Sequence, residues 1–222
     1  MTSAAEVSRA GGLCFSSVPR YPDVRFLPAV FFSLPSGEKT VIIYPDDTYL
    51  YKGEDPPVKT IYLAGGCFWG TQHFFDQFSG VLHTETGYAN GRTDAPSYED
   101  VRYRNTGHAE MVKICYDETR MSTEQLLRYY FMTIDPLSLN RQGGDVGSQY
   151  RTGIYYEDET LLPAIRTVMA EEEAKAGETL AVEVLPLRQF FRAEEYHQDY
   201  LGKNPGGYCH IPPRLMHLEE QE

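Results

Sequence analysis

The sequence predicts a two-layer α+β sandwich, with helices packed on one face of a mixed sheet, long loops and an irregular C-terminal tail. Segments of strand and helix periodicity alternate from residue 58 onwards. The strand candidates are short and bounded by Gly, Asn, Asp and Pro clusters. The 222 residues are 41% hydrophobic and 13% aromatic, with 17 Tyr and 11 Phe, enough to fill one sizeable core.

Taken in order, residues 60–64 read as a buried strand, Gly65-Gly66 breaks it, and residues 68–78 read as a helix with Phe74, Phe75 and Phe78 inward. A strand over 81–88, a Gly/Asn/Asp/Pro-rich loop and a strand over 108–116 follow. Ser122 and Gln125 have the spacing of a capping box opening a helix that carries Leu126, Leu127, Tyr130 and Phe131 and must stop before Pro136. Residues 135–149, with Gly143, Gly144, Asp145 and Gly147, read as a loop whose length points to binding. A strand over 150–156 resumes the sheet. Leu161, Leu162, Ile165, Val168 and Met169 have helical spacing up to Gly177, and Leu180, Val182 and Val184 alternate as a last strand. A final helix near 192–201 runs into the Gly/Pro-rich tail. The order βαββαβαβα contains βαββαβ, the ferredoxin-like split βαβ arrangement.

Residues 1–57 lack sustained periodicity and read as an N-terminal extension and linker; Val41, Ile42, Ile43 and Tyr44 read as a short strand added to the edge of the main sheet. The catalytic domain is expected over 58–212, with 213–222 as tail.

Twenty basic against 32 acidic residues give a net charge of −12, which repels phosphate backbones and argues against nucleic acid. No apolar run approaches the roughly 18 to 20 residues that span a bilayer. The first 17 residues carry one basic residue and no apolar stretch of a secretory signal, so a cytoplasmic protein is expected, monomeric by default. Cys14, Cys67, Cys115 and Cys209 form no C-x-x-C pair, so no metal site is expected, and in a reducing compartment some are reactive.

Cys67 stands out. A cysteine opening a helix faces unpaired backbone amides and the positive dipole end, which lowers its pKa. Most cysteines are small buried hydrophobes, but Gly65, Gly66 and Gly70 leave this backbone open to a ligand, and Phe68 and Trp69 lie beside the sulfur. In the strand over 108–116, alternation puts Glu110 on the apolar face with Val112, Ile114 and Tyr116. Desolvation there favours the neutral acid, a proton donor near neutral pH. His108 is the weaker candidate.

GCFWG at residues 66–70, TGHAE at 106–110, LNRQGGDVGSQYR at 139–151 and AEEYHQDYLGKNPGGYC at 193–209 resemble the peptide-methionine (S)-S-oxide reductase family over roughly residues 58–212. The resemblance implies that Cys67 attacks the sulfur of methionine S-sulfoxide, in proteins, peptides or the free amino acid, and is left as a sulfenic acid. It also implies that Glu110 donates the proton, Tyr98 and Tyr150 hydrogen-bond the oxygen, Asp145 orients the site through water, and Phe68 and Trp69 hold the substrate methyl. Cys209 would resolve the sulfenic acid as a disulfide, which thioredoxin or another dithiol reduces; no bound cofactor is implied. The role would be repair of oxidised proteins.

Three features depart from that pattern. Gln72 replaces a common Glu, the Arg102-Tyr103-Arg104-Asn105 segment is bulkier and more basic than usual, and the tail after Cys209 has no further cysteine. Cys14, Cys115, His197 and Asp199 are not assigned to the chemistry. A thiol peroxidase would also need a reactive cysteine and a resolver, but has no purpose for Phe68, Trp69 and Glu110. A non-catalytic module recognising oxidised methionine would have lost the nucleophile, which is present.

Overall fold

The computed structural model describes residues 57–218 in full, and the backbone of three short strands before them. Those strands, β1 (Val30–Ser33), β2 (Lys39–Ile43) and β3 (Thr48–Lys52), form an antiparallel sheet in the order β1-β2-β3. Residues 41–43 are therefore strand, as expected, but they pair with β1 and β3 and not with the main sheet. Tyr44, Cys14 and most of the predicted extension lie outside the described residues.

The main sheet is built from β4 (Val58–Gly65), β5 (Val81–Ala89), β6 (Ala109–Asp117), β9 (Thr152–Tyr156), β10 (Glu183–Pro186) and β11 (Phe190–Arg192), while β7 (Arg141–Gln142) and β8 (Asp145–Val146) form a separate hairpin. Its order is β10-β9-β4-β6-β5-β11. The inner four, β9-β4-β6-β5, are antiparallel throughout, and each crossover skips one strand, so the split βαβ arrangement expected from the element order is present. Only β10 against β9 is parallel, which makes the sheet mixed.

Helices α1 (Phe68–Phe75), α3 (Thr123–Thr133) and α4 (Leu162–Ala176) enclose the main core, with Ile61 and Leu63 of β4, Val112, Ile114 and Tyr116 of β6, and Phe74, Phe75, Leu126, Tyr130 and Ile165 all fully buried. Each such side chain withdrawn from water contributes about 1.5–3 kcal/mol. The opposite face carries a smaller cluster of Tyr62, Ala64, Ala89, Ala109, Met111 and Tyr155, flanked by Leu187 and Phe190. The alternation read in β6 therefore holds residue by residue.

Local signals explain most boundaries. Ser122 Oγ accepts from Gln125 N at 3.2 Å, the cap of α3, while the Gln125 side chain donates to Tyr129 and does not close the box. Gly177, at φ +74°, ends α4. The complete capping box belongs to α2 (Tyr98–Tyr103), where Ser97 and Asp100 satisfy each other's backbone N–H, within a stretch read as loop.

Two further expectations are corrected. The last strand of alternating residues begins at Glu183: Leu180 and Val182 are buried, but the chain there is held by Ala181 N donating to Pro136 O, not by strand pairing. The helix expected over 192–201 is replaced by β11, a 3-10 turn (Glu195–His197) and a short α5 (Tyr200–Lys203). Gln198 forces the break, since its side chain bonds Thr86 N, Thr86 O and Ala193 O, and Asp199 adopts φ +49°. The core also continues past residue 212, with Leu215 buried in it.

Candidate active site

β4 delivers the chain to Gly65, and Gly66, at φ +83°, turns it into α1; a Cβ on Gly66 would stand 2.7 Å from Gln142 Cβ, so only glycine fits. Cys67 is the N-cap of α1. Its sulfur opens into a cleft of about 200 Å³ lined by Cys67, Phe68, Trp69, Tyr98, Arg102, Glu110, Asp145, Tyr150 and Tyr208. Seven of the eight residues expected at the site line this cleft; the eighth, Cys209, lies against α1, where its Sγ abuts Gly70.

Glu110 projects from β6 beneath the cleft and is 2% exposed. Its Oε2 accepts from Phe68 N at 3.2 Å, tying the carboxyl to the first turn of α1. Burial raises its pKa to about 8, which the Phe68 N–H opposes, so the group is mostly a neutral acid at pH 7. Burial likewise pushes the Tyr98 and Tyr150 phenols up, keeping both protonated as donors.

Cys67 corrects one expectation. Burial, and then the Glu110 carboxylate, push its thiol well above the usual value; a hydrogen bond from the Trp69 backbone opposes this without overturning it. Position at a helix start supplies that amide, but the enclosing cleft removes the water that a thiolate needs. The resting sulfur is therefore a thiol.

Trp69 Nε1 donates to His197 Nδ1 at 2.9 Å and its ring stacks on Tyr200 at 3.8 Å, while Phe68 lies 5.0 Å from the His197 ring. His197 thus sits behind the aromatic wall and fixes it. Tyr98 opens α2, and its backbone N–H donates to Glu194 Oε1 at 2.9 Å. The stretch over 135–149 is held by Gln142, which bonds both N and O of Asp135, and the β7–β8 hairpin with the following 3-10 turn (Ser148–Tyr150) carries Asp145 and Tyr150 to the cleft.

Tyr208 and Arg102 also line the cleft, beyond the site residues that the sequence predicts. Tyr208 donates to Asp145 Oδ2 at 3.1 Å, and its adjacency to Cys209 was the available signal. Gln72 faces away from the cleft, bonding Thr84 Oγ1 and Asp199 N. His108 bonds Thr106 and is enclosed beside Phe191, a structural role. Among the described residues no cluster of His, Cys, Asp or Glu suits a metal, and no helix is long and apolar enough to cross a membrane.

A buried thiol, a neutral carboxylic acid and two phenols around an aromatic slot, on a split βαβ sheet, define a cysteine-dependent enzyme built to act on a small polar group bearing an apolar substituent. The family model described as peptide methionine sulfoxide reductase matches residues 59–221, and this chain belongs to that family. It is 56% identical over 153 residues to the peptide methionine sulfoxide reductase MsrA of Lachnoclostridium phytofermentans, covering 69% of this chain and 92% of the relative. Among solved structures it resembles reduced Mxr1 from Saccharomyces cerevisiae at 36% identity and a TM-score of 0.66, covering 71% of this chain and 92% of that one. Methionine sulfoxide reductase A of Corynebacterium diphtheriae matches at 36% identity and a TM-score of 0.64, over 70% of this chain and 79% of the other.

Proposed function

We propose that the Cys67 cleft reduces the S epimer of methionine sulfoxide, in peptides, proteins or the free amino acid. The observation that carries this is the convergence of Cys67 with the buried acid Glu110 and the phenols of Tyr98 and Tyr150 in one cleft, opposite Phe68 and Trp69. The ε-methyl lies against the aromatic wall and the sulfoxide oxygen among the donors, and this asymmetry about a chiral sulfur selects one epimer.

Glu110 passes its proton to the sulfoxide oxygen as the Cys67 sulfur attacks the substrate sulfur, and the proton lost by the thiol returns the Glu110 carboxylate to its acid form. Oxygen is transferred, methionine leaves with two more electrons on its sulfur, and Cys67 becomes a sulfenic acid. Tyr98 and Tyr150 stabilise the charge developing on oxygen, and Asp145 orients the site. Cys209 then attacks the sulfenic sulfur, releasing water and forming a Cys67–Cys209 disulfide. A dithiol protein such as thioredoxin, whose own thiols are oxidised in exchange, returns both cysteines to the thiol state. The chain then repairs oxidised proteins as a monomer in the cytoplasm, with a catalytic unit starting near Val58.

Single-turnover reaction with separated S and R epimers of a methionine-sulfoxide peptide tests the proposal. One methionine per chain from the S epimer alone, with loss of two thiols, is expected; methionine from neither epimer would overturn it.

A further inference from the structure

Arg102 is unused by the chemistry above. It lies one turn after Tyr98 on the same face of α2 and, among the described residues, is the one cationic side chain lining the cleft, which also holds the acidic side chains of Glu110 and Asp145. Its Nη1 donates to the Tyr98 hydroxyl at 3.3 Å, and the guanidinium carbon stands 5.8 Å from the Tyr98 ring centroid and 5.2 Å from that of Tyr103. The two rings and the phenol hold the cation at the cleft mouth. Among the described residues no carboxylate pairs with it, whereas Arg104, two residues on, is paired with Asp100 at 3.0 Å. One Arg–Tyr bond leaves most of the five guanidinium N–H groups available, in a fork that matches a carboxylate.

We propose that Arg102 reads a carboxylate on the substrate, so that this enzyme favours sulfoxides with an acidic group close to the sulfur. The inference rests on the assignment of the Cys67 cleft as substrate site. If Tyr98 bonds the sulfoxide oxygen at about 2.8 Å, the guanidinium, 3.3 Å from that hydroxyl, comes within about 6 Å of the oxygen. Two carboxylates reach that far: the α-carboxylate of free methionine sulfoxide, and an Asp or Glu side chain beside the sulfoxide in a peptide. Both would meet, on an otherwise acidic protein of net charge −12, the one guanidinium among the described residues that lines the cleft.

The experiment compares kcat and KM for two pairs of S-sulfoxide substrates: a peptide with Asp beside the sulfoxide and its Asn counterpart, and free methionine sulfoxide and its methyl ester. Because Arg102 is solvent-exposed, the acidic member of a pair should have a KM lower by roughly two- to fivefold at low salt, with kcat unchanged and the difference lost at high salt. Arg102→Gln should erase the ratio, and Arg102→Lys, which keeps the charge, should retain most of it. A preference in the peptide pair alone identifies a flanking side chain as the source; one in the free pair alone identifies the α-carboxylate. Equal KM values within both pairs, or a ratio that survives Arg102→Gln, would overturn this inference alone. Absence of methionine from every substrate would overturn the cleft assignment and this inference with it.

Discussion

The sulfur of Cys209 rests against the backbone of Gly70, at 2.9 Å from where a Cβ on that glycine would stand. Residue 70 is one turn after Cys67 on α1, so the notch that its missing side chain leaves is where the second cysteine is parked within reach of the first. Ile211 and His210 crowd the same notch, and burial pushes the Cys209 thiol up. Gly70→Ala should therefore release a first methionine but form the disulfide on the order of 10²-fold more slowly, since displacement of a reacting group by about 1 Å costs that much. Trapping of the sulfenic acid with a dimedone-type probe checks it: normal disulfide formation would contradict this role.

The two cysteines should separate on substitution. Cys67→Ser is expected to release no methionine even in one turnover, whereas Cys209→Ser should release one per chain and then stop. Methionine counted against enzyme in a quench experiment distinguishes the two, and equal losses would contradict the order of steps.

If Glu110 is the proposed proton donor, Glu110→Gln, which keeps the side chain's shape, should slow the chemical step by roughly 10²-fold or more. In the parent the acid form is the active one, so the contribution of Glu110 should fall as pH rises through about 8. The rate profile of Glu110→Gln should lack that limb, which single-turnover rates from pH 6 to 10 would reveal.

Burial of Glu110 also couples pH to stability. The native carboxyl holds its proton to about pH 8, whereas the unfolded one loses it near the ordinary glutamate value of 4.5, so the native state binds more protons between those limits. Stability from this group is present below pH 4.5 and is lost as pH rises through about 8. Glu110→Gln should flatten that fall in Tm, measured by thermal melts at pH 5 and pH 9.

Phe75 is fully buried, with its ring centroid 5.2 Å from Phe74 and 6.2 Å from Phe78. Phe75→Ala should cost about 3–5 kcal/mol in denaturant unfolding, the usual loss for a large core aromatic.

Much of this was legible along the chain. Alternation in β6 placed Glu110 among Val112, Ile114 and Tyr116, and Gly65-Gly66 before Cys67 marked the strand-to-helix turn, because both are local patterns of side-chain period and backbone freedom. The helix α2 was hidden because its six residues are too few to show periodicity, and its Ser97–Asp100 capping box lies in a Gly/Pro-rich stretch. The break at Gln198 was equally invisible, because it depends on Thr86, more than a hundred residues earlier.

The sequence by itself determined the family resemblance, the strand that carries Glu110 and the strand-to-helix turn that carries Cys67, because motif spacing and periodicity are properties of neighbouring residues. The tertiary structure alone decided their states and their company. It withdrew Cys67 and Glu110 from water together, which makes one a thiol and the other a neutral acid. It also brought Arg102 and Tyr208 to the same cleft and set Cys209 in the notch at Gly70. Desolvation and close approach are sums over residues distant in the chain, and they exist only once the sheet and helices have closed around them.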